Sequence, residues 1–181
     1  MNLNVFRAKS RWMILELLIF LIPIYVANAS PVVLGGGTPL DFGRNFIDGR
    51  RILGKGKTIR GFAGGVLAGF LAGALVAFAY PLPFFAGTEQ QLAAAFLLAL
   101  GTMCGDSIGS FIKRRIGIGS GEPFMPDTFI FLAVSLVFVY PFALPVLYDA
   151  YNLLFFLILT MILHPLTNAL ANRAGLKSVP W

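Results

Sequence analysis

The sequence predicts an all-α integral membrane protein with about five transmembrane helices. Of its 181 residues, 57% are hydrophobic and 12% are charged, and the mean hydropathy is +0.81. A soluble domain of this size needs more polar residues to cover its surface. Five apolar blocks are also long enough to cross a bilayer, which takes about 20 helical residues, and the basic residues cluster between these blocks. We therefore expect one membrane domain covering residues 1–181.

The distribution of Lys and Arg predicts the topology. The five helices are expected at residues 12–29, 61–80, 91–112, 129–147 and 151–171. The loops at about 30–60 and 113–127 and the C-terminal tail carry eleven of the fourteen Lys and Arg residues. The positive-inside rule places these two basic loops and the C-terminus in the cytoplasm. The N-terminus, with Arg7, Lys9 and Arg11, is then outside, against the rule.

Glycines recur at steps of four in the second and third predicted helices. The second helix has them at positions 61, 65, 69 and 73, and the third at positions 101, 105 and 109. Small residues at this spacing allow two helix backbones to approach closely in lipid. The glycines therefore predict tight helix packing within the chain, and they could also serve a homodimer.

The first basic loop combines glycines with many cationic side chains. It reads PLDFGRNFIDGRRILGKGKTIRG over residues 39–61. No register completes the P-loop pattern and no strand precedes it, which excludes a Walker-type site. Close backbone approach, cationic donors and the N-terminus of the second helix, which Thr58 can cap, still favour a phosphate. The alternative is contact with anionic lipid headgroups. The candidate ligand-binding residues are Asp41, Asn45, Asp48, Arg50, Arg51, Lys55, Lys57, Thr58 and Arg60.

The segment at residues 105–128, GDSIGSFIKRRIGIGSGEPFMPDT, holds the strongest catalytic candidates. Asp106, Ser110 and Lys113 share one helical face, and an ionisable residue in a membrane helix indicates a functional site by default. Asp106 is expected about 9 Å before the helix end. Asp127 either caps the fourth helix or converges with Asp106 on Mg²⁺, which takes one or two carboxylates together with phosphates. A single cysteine, Cys104, excludes a cysteine-based metal centre.

A polar stripe follows the cytoplasmic half of the fifth predicted helix. It consists of Thr160, His164, Asn168 and Asn172, at steps of four residues. Such a stripe lies on one helical face. It forms hydrogen bonds between helices, or Asn168 or His164 contacts a ligand in the same cavity as Asp106.

Two motifs carry a family resemblance. GDSIGSFIKRRIG, at residues 105–117, resembles the GD-x-x-x-S-x-x-KR-x-x-G signature of the membrane phosphatidate cytidylyltransferases. The loop PLDFGRNFIDGRRILGKGKTIRG is similar to that of their archaeal branch, the CDP-archaeol synthases. The resemblance covers most of the chain. It implies a magnesium-dependent transferase that moves CMP from CTP to a phosphorylated diether lipid bearing geranylgeranyl chains. It also implies that Asp106 and Asp127 are metal-associated acids and that Lys113 and Arg114 match the basic pair.

The motifs and the resemblance together predict a cytidylyltransferase in the cell membrane, with its active site facing the cytoplasm. The expected partners are CTP, a lipid phosphate, membrane lipid and a second copy of the chain, with no nucleic acid. The alternative is a small multi-pass transporter of an ion or anion, although the outer half offers few polar groups beyond Glu16. The predicted catalytic residues are Asp106, Ser110, Lys113, Arg114 and Asp127, and Asn168 joins the nucleotide-binding set.

Overall fold

Helices dominate the part of the chain that the computed structural model describes, which is residues 3–119 and 121–180, with side chains from residue 13 onward. These residues form no strand, only two isolated bridges, Pro39 with Thr58 and Asn45 with Arg51. The all-α prediction is therefore confirmed. In chain order the helices are α1 (Leu3–Ala29), α2 (Pro31–Leu34), α3 (Ile59–Ala79), α4 (Thr88–Arg115), α5 (Asp127–Val139), a 3₁₀ helix (Pro145–Tyr148) and α6 (Ala150–Arg173).

Four long apolar helical stretches in the described chain can cross a membrane. They are Met13–Leu34, α3, α4 and α6. The prediction of a helix over residues 129–147 is wrong in length, because α5 has only 13 residues, about 20 Å. Pro141 and Pro145 follow it closely, and proline lacks the N–H that a continuing helix would need. The chain turns there and enters the 3₁₀ helix instead.

The glycine rows of α3 and α4 let neighbouring helices approach closely, which confirms their predicted packing role. A Cβ at Gly69 of α3 would lie 2.7 Å from Cβ of Ala27 in α1 and 2.8 Å from Cβ of Ala99 in α4. A Cβ at Gly105 of α4 would lie 2.6 Å from Cα of Phe131 in α5. These faces are filled within one chain, so the glycines give no support to a dimer formed through them.

Aromatic residues close the end of the bundle where α3 ends and α4 begins. Phe20 stacks on Phe156 and meets Phe84 edge to face, with ring centroids 5.3 and 5.7 Å apart. All three side chains are buried. The loop that carries Phe84 is fixed by Gln91, which accepts from the N–H of Leu82 and donates to a backbone carbonyl. We call this packed region the aromatic end.

The three basic segments meet at the opposite end of the bundle, as the topology prediction required. Arg50 of the first loop donates to the carbonyl of Arg115 at the end of α4, at 2.9 Å. Lys57 of that loop and Lys177 of the tail line one cavity. We call this region the cavity end. The basic residues at positions 7, 9 and 11 fall outside the described side chains.

Candidate active site

A buried carboxylate organises the first loop. Asp41 accepts backbone N–H bonds from Gly43, Leu53 and Gly54, each at 3.0 Å, and it pairs with Arg51. Burial raises the pKa of Asp41, but Arg51 and the three N–H groups outweigh it, so the pKa lies below its usual range. Asp41 does not line the cavity. Asp41 and Arg51 therefore stabilise the fold of the loop, and neither side chain lines the cavity.

Arg50 joins this loop to the end of α4. Its guanidinium donates to the backbone carbonyls of Arg114 and Arg115, at 3.2 and 2.9 Å. The last carbonyls of a helix lack intrahelical partners and carry the negative end of its dipole. Arg50 stabilises that helix end and does not line the cavity.

Arg115 binds the same loop from the other side. It pairs with Asp48 at 2.6 Å and donates to the carbonyl of Arg51, also at 2.6 Å. Its guanidinium carbon lies 4.7 Å from the ring centroid of Phe46 and 4.9 Å from that of Phe111, within the range of cation–π attraction. Asp48 is thus engaged in holding the loop against α4.

The remaining loop candidates also lie outside the cavity. Thr58 caps α3 as predicted, since its hydroxyl accepts from the N–H of Gly61 at 3.1 Å. Asn45 forms an isolated bridge with Arg51. Lys55 and Arg60 are exposed. Because donors in this loop are shared between its own fold and α4, the loop presents fewer cations to a ligand than its composition indicates.

A cavity of about 680 Å³ opens at the cavity end. Its walls come from the C-terminal part of α4, the start of α5, α6, the end of α1, the first loop and the tail. This volume is in the range of small-molecule sites. The predicted site residues that line it are Lys57, Asp106, Ser110, Lys113, Arg114, Asp127 and Asn168. All five predicted catalytic residues therefore meet in one place.

Three carboxylates line the cavity, those of Asp106, Glu122 and Asp127. Glu122 accepts from the N–H of Gly119, whereas Asp106 and Asp127 are each paired with a lysine. Lys57 Nζ lies 2.5 Å from Asp106, and Lys113 Nζ lies 2.8 Å from Asp127. The side chains of Asp106 and Asp127 are 26% and 30% exposed, so solutes reach both. Lys113 also donates to the carbonyl of Glu122 at 3.0 Å. The pairs balance charge inside the cavity while leaving both carboxylates accessible.

Gly109 leaves room for the Asp127 carboxylate to lie against α4. A Cβ at this position would lie 2.6 Å from Asp127 Oδ1, so the carboxylate of Asp127 rests against α4 within one helical turn of Asp106. The cap reading of Asp127 does not hold, because Asp127 is the first residue of α5 and the N-cap position, Pro126, makes no side-chain bond. The Asp127 carboxylate points to Lys113 instead.

Polar residues of α6 complete the cavity. Asn168 and His164 line it and are joined by a bond of 3.1 Å, while Asn28 of α1 contacts the other ring nitrogen of His164 at 3.5 Å. The polar stripe of α6 therefore does both: His164 bonds to Asn28 of another helix, and His164 and Asn168 line the cavity. Sequence reasoning missed Asn28 and Lys177. No sequence signal marks Lys177 as a site residue, because a chain reversal at the end of α6 brings it to the cavity.

The donor set of the cavity fits Mg²⁺. Among the described residues no three His, Cys, Asp or Glu side chains gather into a metal site. The cavity does offer the carboxylates of Asp106 and Asp127, both partly exposed. Mg²⁺ is usually held by one or two carboxylates when substrate phosphates and water supply its other ligands. The residues present thus suit a metal that arrives with a polyphosphate.

The fold and this cavity define a class: a multi-pass helical membrane protein that handles phosphates at one end of its bundle. A model of the CarS-like CDP-archaeol synthase family matches residues 11–181, and the chain belongs to that family. Its relatives include proteins named CDP-archaeol synthase from Pyrococcus horikoshii, 45% identical over 93% of this chain and 97% of the relative, and from Methanococcus aeolicus, 38% identical over 94% and 98%.

A solved structure shares the fold. It is described as an intramembrane enzyme for archaeal membrane lipids biosynthesis. It is 36% identical to this chain, with a TM-score of 0.73, over 85% of this chain and 93% of the solved one. The chain is accordingly a multi-pass membrane protein with the architecture of an enzyme that acts within the bilayer.

Proposed function

We propose that this protein transfers CMP from CTP to a digeranylgeranylglyceryl phosphate, giving CDP-archaeol and pyrophosphate in membrane phospholipid biosynthesis. One observation carries the proposal beyond family membership: two accessible carboxylates and the cations Lys57, Lys113 and Arg114 line a single cavity. The cavity holds acids for a divalent cation and bases for phosphates, at the end of helices that would lie in a membrane.

In the proposed reaction, an oxygen of the lipid phosphate attacks the α-phosphorus of CTP in line, and the bond to the β-phosphate oxygen breaks. The attacking oxygen is already an anion, so no general base is required. The main barrier is charge repulsion, which positioned cations reduce. Lys113 and Arg114 would bind the lipid phosphate beside Ser110, and Lys57 would bind the triphosphate. Each lysine would exchange a carboxylate for a phosphate when substrate enters.

Mg²⁺ is the cofactor that this arrangement suits. Asp106 and Asp127 would hold it once their lysines turn to phosphate. Bound there, it would neutralise charge on the phosphate oxygens as a Lewis acid. The lysine pairs would hold both carboxylates in place between turnovers, so the site is preorganised for the incoming metal and nucleotide.

The transporter alternative is not favoured. A permeation path needs polar groups along the whole bundle, whereas the aromatic end is filled by Phe20, Phe84 and Phe156, each at most 1% exposed. The cavity and its charged residues stay at the opposite end. This asymmetry suits a site that exchanges its substrates at one membrane surface.

We place the cavity end at the cytoplasmic face of the cell membrane. The first loop, the end of α4 and the tail carry most of the basic residues and meet there, and cytoplasmic segments are rich in Lys and Arg. CTP is also a cytoplasmic substrate. Cysteine-accessibility labelling of Lys55→Cys, an exposed loop position, in intact cells and in inverted vesicles would test this orientation.

The activity is tested directly by incorporation. Purified protein is incubated with CTP labelled in its α-phosphate, Mg²⁺ and the diether lipid phosphate, and the organic phase is counted. We expect label in the lipid and release of pyrophosphate. Lipid without label, beside an active control enzyme, would refute the proposed function. A diester lipid phosphate in a parallel reaction measures how strongly the site selects the diether.

A further inference from the structure

The C-terminal tail returns to the cavity through a defined helix ending. Leu176 N–H donates to the carbonyl of Ala171 and Gly175 N–H to that of Asn172, both at 2.9 Å. Gly175 has φ +72°, the left-handed conformation that glycine adopts readily. These two bonds form a Schellman motif. They reverse the chain at the end of α6 and fix the direction in which the tail leaves.

Two side-chain bonds then hold the tail against α6. Asn172 donates to the backbone carbonyl of Lys177, and Lys177 Nζ donates to Asn168 Oδ1, each at 2.9 Å. Asn168 and Asn172 are one helical turn apart on the same face. The backbone and the ammonium group of Lys177 are therefore both positioned by α6.

This position places Lys177 among the charged residues of the site. The tail residues at 176–179 line the same cavity as Asp106, Lys57, Lys113 and Asp127. Burial lowers the pKa of Lys177, the charge of Lys57 lowers it further, and Asp106 opposes both. The ammonium therefore lies within electrostatic range of the acids and lysines that the proposed reaction uses.

The substrates bring further negative charge into a cavity whose walls already carry the carboxylates of Asp106, Glu122 and Asp127. A phosphate monoester carries about −1.5 to −2 at pH 7, a triphosphate carries more, and Asp106 and Asp127 add to the total. We propose that Lys177 is a substrate-contacting residue whose ammonium binds a phosphate oxygen of CTP or of the lipid phosphate, with the tail at 176–179 forming a wall of the active site. This inference rests on the proposed function.

The first test separates the two sources of phosphate. In Lys177→Met the charge is removed and most of the stem remains, and the loss of one charge-assisted hydrogen bond is expected to lower kcat/KM by about 10- to 100-fold. The KM that rises, for CTP or for lipid phosphate, identifies the bound substrate. Lys177→Arg should retain most activity. Arg173→Met, an exposed position in the last turn of α6, is the matched control and should leave both constants unchanged.

A second test holds even if Lys177→Met folds poorly. The chain has one cysteine, so Lys177→Cys in a Cys104→Ala background can be aminoethylated to rebuild a lysine-like ammonium. Activity should be low before the modification and should return after it. A purely structural role of the tail would not require the ammonium.

The outcomes divide cleanly. Constants of Lys177→Met within about twofold of wild type for both substrates would overturn the inference, as would a folded, aminoethylated Cys variant that stays inactive. Both results leave the proposed function standing, because wild type is active in the same assay. A wild type without activity contradicts the proposed function and this inference together.

Discussion

The cavity end and the aromatic end of the bundle differ in what their side chains are free to do. The carboxylates of Asp106 and Asp127 are 26% and 30% exposed, and each is paired with a lysine that also lines the cavity. Phe20, Phe84 and Phe156 are at most 1% exposed and touch only one another and the core. A protein that exchanges charged substrates needs charged side chains that are accessible to them. Its stability then depends on tightly packed regions such as the aromatic end.

The energetics of the two ends support this division. An accessible ion pair contributes about 0–1 kcal/mol, so the lysine–carboxylate pairs at the cavity can be exchanged for substrate contacts at little cost. Truncating a tightly packed Phe to Ala costs about 3–5 kcal/mol, because it leaves a cavity and removes packing contacts. We therefore expect substitutions at the cavity end to remove activity while the protein stays folded. Substitutions at the aromatic end should lower the free energy of unfolding without removing a group that the reaction uses.

The largest expected effect is on activity at the cavity end. Asp106→Asn keeps the size of the side chain and removes the charge that pairs with Lys57 and that the proposed Mg²⁺ site requires, so CMP transfer should fall by at least about a hundredfold. Its thermal unfolding in detergent should stay close to wild type. Asp149→Asn changes an exposed acid just before α6, at the other end of that helix, and serves as the matched control. Retained transfer in Asp106→Asn would remove Asp106 from the metal site.

The next effect concerns stability at the aromatic end. Phe20→Ala leaves a cavity beside the rings of Phe84, Phe85 and Phe156 and should lower the free energy of unfolding by about 3 kcal/mol. Phe78→Ala removes the same group where it is 73% exposed and should change stability little. Thermal denaturation in detergent compares them. Equal losses in the two variants would show that the aromatic end is not the stabilising region.

A smaller change tests how the two acids are held together. Gly109→Ala puts a methyl group 2.6 Å from Asp127 Oδ1, so the carboxylate must move away from α4 and leave its present position in the cavity. We expect transfer to fall about tenfold and the Mg²⁺ requirement to rise, with little loss of stability. Gly87→Ala, where a Cβ meets nothing within 4 Å, is the control. Unchanged Mg²⁺ dependence in Gly109→Ala would separate Asp127 from the metal.

A pH dependence of stability is expected in the first loop, away from the cavity. The pKa of Asp41 is lower in the folded protein than in the unfolded chain, where it is about 3.9. Its stabilisation is therefore complete above about pH 4 and is lost as the pH falls below that value through the folded pKa. Asp41→Asn should lower the free energy of unfolding by about 1–3 kcal/mol at pH 7. It should also weaken the fall in stability at acid pH, measured by thermal denaturation in detergent across a pH series. If the stability of Asp41→Asn falls with decreasing pH as steeply as that of wild type, other groups cause the pH dependence.

Local periodicity explains what the sequence could predict about the site. Asp106, Ser110 and Lys113 follow helical spacing, and α4 does place them in one cavity. The grouping needed no tertiary information, because one helix supplies it. The position of Asp106 relative to the helix end was less predictable, since α4 runs on to Arg115 through residues read as a loop.

The first loop shows what composition could not predict. The sequence alone does not rank the Lys and Arg residues of this loop as phosphate ligands. In the structure Lys57 lines the cavity, whereas Arg50 bonds to backbone carbonyls and Arg51 to Asp41. Those partners come from distant parts of the chain or from the folded loop itself. Lys177 was missed for the same reason, because a chain reversal after α6 brings it to the site. The length of α5, in contrast, was readable from Pro141 and Pro145.

The shortness of α5 has a consequence for the lipid around the protein. Its 13 residues span about 20 Å, against about 30 Å of hydrocarbon in a typical bilayer. Such hydrophobic mismatch is met by thinning of the surrounding bilayer or by cover from neighbouring segments. Asp127 stands at the first residue of this helix, so its depth depends on bilayer thickness. We therefore expect the rate of CMP transfer to change with the length of the lipid chains, which reconstitution into bilayers of graded thickness can measure.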